Sequence, residues 1–120
     1  MKKSLLSSLL FLSLLLTNCG ARHKAQNVVD EFLKQHLVSD SYDLESLTDL
    51  DSTFYVTDSM VQLMHQRAAA NPMFKPSVSY QPRTPKLLFM HVKVSQNGQS
   101  YKQTFYFDST LTVVVSFKND

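Results

Sequence analysis

The sequence predicts an α+β domain of two layers, with one or two N-terminal helices packed on a C-terminal antiparallel three-stranded meander. Three observations carry that expectation. Apolar residues fall at helical spacing over Ala25–Val38, and Asn97-Gly98 stands between two alternating runs. All four prolines (Pro72, Pro76, Pro82, Pro85) gather between a second helical pattern and those runs.

The first residues concern address. Lys2 and Lys3 precede Leu5–Leu16, twelve residues of which nine are Leu or Phe and three are Ser. A bilayer core about 30 Å thick needs about 20 apolar residues, so this stretch has the length of a signal-peptide core and not of a span. Leu16-Thr17-Asn18-Cys19 resembles the lipobox of bacterial lipoproteins, with Asn18 departing from the usual small residue. The resemblance implies a signal peptide at 1–18, an acylated Cys19, a tether at 19–24 and one domain at 25–120. Cys19-Gly20-Ala21 also fits ordinary secretory cleavage, which would release the chain to the periplasm. Gly20–Lys24 contains no acidic residue and so resembles neither the inner-membrane retention signal nor the surface-export signal of such lipoproteins, which implies the periplasmic leaflet of the outer membrane.

Within the domain, Ala25, Val28, Val29, Phe32, Leu33 and Leu37 make one stripe of an amphipathic helix, ended by Ser39-Asp40-Ser41. Tyr42–Val56 is ambiguous, with an extended segment expected near Tyr42–Leu47. Ser59-Met60-Val61-Gln62 matches a capping box, and Met60, Val61, Met64 and Ala68 extend a second helix to about Ala70, where Asn71-Pro72 stops it. The proline-rich loop follows, with a brief extended piece at Val78–Tyr80.

Asn97-Gly98 is the strongest short hairpin signal, because a type I′ turn needs positive φ at both central positions. Taking it as the loop sets Leu88, Met90, Val92 and Val94 opposite Phe107, Phe105, Gln103 and Tyr101, an apolar face interrupted by Gln103. The other face pairs Leu87 with Asp108, Phe89 with Tyr106, His91 with Thr104 and Lys93 with Lys102. Asp108-Ser109-Thr110 turns into a third strand, Leu111–Lys118, with Leu111, Val113, Val115 and Phe117 alternating against Thr112, Val114, Ser116 and Lys118.

Composition excludes several chemistries. The 120 residues hold 12 basic and 10 acidic side chains, one Cys and two Gly. One Cys makes neither an internal disulfide nor a cysteine zinc site, and two glycines write no phosphate-cradling loop. Beyond residue 18 the balance is neutral but split. Cys19–Asp58 holds three basic and eight acidic residues, and Ser59–Asp120 seven and two. The split leaves self-association open, and a neutral exported chain does not suit nucleic acid.

No catalytic residue, metal site or cofactor is expected. His23, His36, His65 and His91 share no ligand spacing, and Asp40, Asp43, Glu45, Asp49, Asp51 and Asp58 lack the glycine turn of a calcium loop. The second sheet face is the candidate: Phe89, His91, Lys93, Lys102 and Tyr106, with Leu87, Val114 and Lys118 nearby, suit an envelope protein or an anionic glycan. The sequence thus points to a non-catalytic binding or scaffold module. The alternative is a carrier holding a small ligand between helix and sheet, with Gln103 as its polar contact.

Val29-x-x-Phe32-Leu33…Ser41-Tyr42, with Lys102–Asp108 and Val114–Lys118, resembles small lipoproteins of Bacteroides-type bacteria. That resemblance implies a cystatin-like or NTF2-like fold, in which a curved antiparallel sheet wraps a helix, and a membrane partner through the lipid anchor. It brings no catalytic residue.

Overall fold

The computed structural model describes residues 20–39, 41–75, 78 and 80–120. The expected signal peptide at 1–18, the lipidation site Cys19, Asp40, Pro76 and part of Val78–Tyr80 lie outside the described residues. Helix α1 includes residues 20–36, so residues 20–24, expected as a tether, are helical. Ala21 already packs against the core, which gives this turn a reason to form. After α1 come β1 (Asp43–Ser46), β2 (Asp51–Thr53), α2 (Asp58–Ala69), β3 (Leu87–Gln96), β4 (Gln99–Phe107) and β5 (Val114–Asn119).

The hairpin register is the predicted one: Leu88 pairs with Phe107, Met90 with Phe105 and Lys93 with Lys102. Asn97 and Gly98 take φ of 54° and 77°, as the primed turn requires. The sheet is nevertheless wider than a three-strand meander. It has five antiparallel strands in the order β1-β3-β4-β5, with β2 also pairing β3. The free edge of β3 is thereby covered, first by Asp43–Ser46 and then by Asp51–Thr53. Between them Thr48 Oγ1 accepts from the His91 N–H at 3.0 Å.

α1 roofs the apolar face. Ala25, Val29, Phe32, Leu33 and Leu37 are buried with Met90, Val92, Val94, Phe105, Phe107 and Phe117. Phe32 sits in an aromatic cluster, with ring centroids 5.9 Å from Phe105 and 5.8 Å from Phe117. The start of β1 is tied back to α1 by the Tyr42 hydroxyl, which donates to Asp30 Oδ1 at 2.6 Å. Burial and that bond raise the Tyr42 phenol above its ordinary value, while the same bond lowers Asp30.

The third strand differs from its simple alternation. Asp108 accepts from the backbone of Thr112 and Val113, widening the turn, and Leu111 takes φ of 57° inside it. A register shift between Tyr106 and Phe107 follows. Val114, expected on the polar face, therefore joins the α1 core, and Val115 crosses to the other side.

The second helix caps two residues earlier than Ser59. Thr57 Oγ1 accepts from Met60 N at 3.2 Å, and Asp58 supplies the acidic first turn.

Candidate functional site

The second sheet face is divided in two by α2. Val56, Val61 and Met64 bury Leu87, Tyr106 and Val115 beneath the helix, and Phe89 borders that cluster. Tyr106, expected at an exposed partner site, keeps 8% of its surface and belongs to this second core. Its aromatic area is consumed by the protein's own helix. The apolar stripe of α2 needed a partner, and Leu87, Tyr106 and Val115 are the residues that meet it.

Beyond α2 the face opens. Its first row is His91, Thr104 and Lys118, and its second is Glu45, Lys93 and Lys102. The His91 and Lys93 side chains keep 40% and 37% of their surface, and Lys102 and Lys118 are exposed. Glu45 approaches Lys93 only to 4.0 Å, a loose ion pair. Among the described residues neither Lys102 nor Lys118 makes an ion pair. Lys93 directly opposite Lys102 is a like-charge pair that costs about 0.2–1 kcal/mol.

His91 is held in one orientation. Thr104, 1% exposed, donates its single hydroxyl proton to Asp120, at 2.8 Å and 3.0 Å from the two carboxylate oxygens. An ionised carboxylate only accepts, so Thr104 Oγ1 must accept from His91 Nδ1 across 2.7 Å. In the neutral ring Nε2 is then the lone-pair nitrogen. The register already placed Thr104 opposite His91, but nothing in local sequence connected Asp120 to them.

The remaining histidines are accounted for by packing. His65 Nε2 lies 2.7 Å from Val115 O, to which it donates, closing an edge carbonyl of β5 while its ring stacks on Tyr80 at 3.9 Å. His36 packs on Phe32 at 4.6 Å, and burial, then Lys75, lowers its affinity for a proton. His23 is exposed on α1. Of the acidic stretch, Asp49 pairs with Arg22 at 3.1 Å and Asp58 with Arg83 at 2.7 Å. No group of three metal-ligating side chains gathers among the described residues.

Gln103 is fully buried beside Val92. Its Nε2 donates to Asn119 Oδ1 at 2.8 Å, and its Oε1 has no partner. The cleft reaching Asn119 measures about 170 Å³ and is lined also by Met64, Arg67 and Phe117. A larger groove, about 340 Å³, runs between Val28, Phe32 and His36 of α1 and Thr112–Val114.

Comparison with family models, with curated proteins and with solved structures finds no match to this chain.

Proposed function

We propose that the protein is a non-catalytic, lipid-anchored module of the cell envelope, held on the periplasmic leaflet of the outer membrane through Cys19. The uncovered half of its sheet, centred on Lys102 with His91, Lys93 and Lys118, binds an anionic partner, of which a sulfated or carboxylated glycan is the simplest kind. The observation that carries this reading is the pair of lysines kept opposite each other on an open sheet face. An opposed like-charge pair weakens the fold slightly, and a bound anion would turn that cost into attraction.

A surface contact is favoured over chemistry because the hydroxyl bonded to His91 is Thr104's, which is buried and committed to Asp120. It is favoured over a carrier because Gln103 is wholly enclosed and its Nε2 donates within the protein, to Asn119.

The test is an NMR titration of the folded chain with dextran sulfate, with uncharged dextran as control. The expected result is shifts at His91, Lys93, Lys102 and Lys118 that fade as salt is raised. Shifts spread evenly over all exposed lysines, or none, would contradict the assignment.

A further inference from the structure

Phe54 and Tyr55 are consecutive aromatics left 68% and 88% exposed, and Met60 and Leu63, at the start of α2, keep 46% each. Their position in the fold says what they face. β2 ends with Thr53 opposite Leu87, the first residue of β3, so Phe54 and Tyr55 run past that end of the sheet. The early part of α1 lies level with the middle of β3, since Arg22 Nη1 reaches Asp49 Oδ1, between Ser46 opposite Val92 and Asp51 opposite Phe89, at 3.1 Å. The far end of α1 lies near the hairpin, where Gln96 Nε2 donates to Ser39 O and Ser41 O at 3.4 Å. Helix and sheet therefore run side by side, with Asn97-Gly98 at one end and residue 20 and the aromatic pair away from it.

We infer that Phe54 and Tyr55 are a membrane-contact surface, seated in the headgroup layer of the bilayer that holds the anchor. The inference rests on the lipid-anchor reading, in which acylated Cys19 is the residue before Gly20. Tyr55 suits the headgroup layer, where its apolar ring and its hydroxyl are both satisfied, and Phe54 beside it adds apolar area for the acyl boundary. Exposed Lys86, one residue before Leu87 and so next to the strand end that Phe54 continues, adds a cationic neighbour for lipid phosphates. Acyl chains at Cys19 supply the affinity, so the aromatics supply orientation. They hold the long axis of the sheet away from the bilayer. Ten residues of β3 at about 3.3 Å each then carry the hairpin tip about 33 Å outward.

The chain contains no Trp, so Tyr55→Trp creates a single reporter at a side chain that packs on little else. The full chain, purified from membranes and placed in phosphatidylethanolamine–phosphatidylglycerol vesicles, is examined with brominated lipids, and Tyr101→Trp near the hairpin tip is the control. Mass measurement of Cys19 and vesicle flotation are recorded in parallel. The expected result is at least twofold quenching and a blue shift at position 55, with neither at position 101. An acylated, floating chain whose position 55 stays unquenched overturns the membrane contact and leaves the anchor standing. An unmodified Cys19 with no flotation overturns both. An unmodified chain that still shows quenching at position 55 supports the contact and overturns the anchor alone.

Discussion

Lys93 and Lys102 stand directly opposite each other on β3 and β4, on the half of the sheet face that α2 does not reach. Nothing apolar in the hairpin requires two cations at that pair. Replacing one by a carboxylate exchanges repulsion for a cross-strand ion pair, so Lys102→Glu should raise stability, by about 0.5 kcal/mol. Chemical denaturation measures it, and a loss of stability would show that the pair is not repulsive in the fold.

Thr104 decides the tautomer of His91. With Asp120→Asn, an amide N–H can donate to Thr104 Oγ1 and turn the threonine proton toward the ring. The neutral imidazole should then shift from the Nδ1–H to the Nε2–H form. Nitrogen-15 chemical shifts of His91 at alkaline pH report this directly; an unchanged pattern would mean that Asp120 does not set the relay.

Tyr106 is a core residue of the α2 side. Tyr106→Ala should cost about 2–4 kcal/mol, the range for emptying a buried large side chain. An effect within about 0.5 kcal/mol in a denaturation experiment would instead mark it as surface.

Asp108 gives the fold one acid-sensitive element. Burial works to raise its carboxyl, but the hydroxyls of Thr110 and Thr112 and the N–H groups of Val113 and Thr112 outweigh it, holding the value at about 2 against an ordinary 3.8. A depressed folded value stabilises the fold above 3.8, and that contribution is lost as pH falls from there through about 2. The stabilities of wild type and Asp108→Ala should therefore differ at neutral pH and converge toward pH 2. A constant gap over that range would show that charge plays no part in the turn.

What was legible in the sequence follows from how local each signal is. Asn97-Gly98 and the alternation beside it specify a register without outside help, which is why Met90 and Phe105 are fully buried as the pattern demands. Ala25–Val38 reads as a helix for the same reason, and α1 includes residues 20–36. β2 is only three residues, too short for a period, and exists because β3 offers an open edge. The Val114–Val115 crossover depends on side-chain bonds from Asp108 that widen a turn, and alternation alone cannot report them. The candidate surface was half legible. His91, Lys93 and Lys102 remain on the open part, whereas Tyr106 was lost to α2, whose docking place is a tertiary choice.

On the proposed function, the open lysine-bearing half of the sheet is where an anionic partner binds. Calorimetric titration with dextran sulfate compares wild type with the Lys93→Gln, Lys102→Gln double variant, which removes both charges without opposing two carboxylates. The expected result is at least tenfold weaker binding with an unlowered melting temperature; equal affinity in the two folded proteins would place the anion elsewhere.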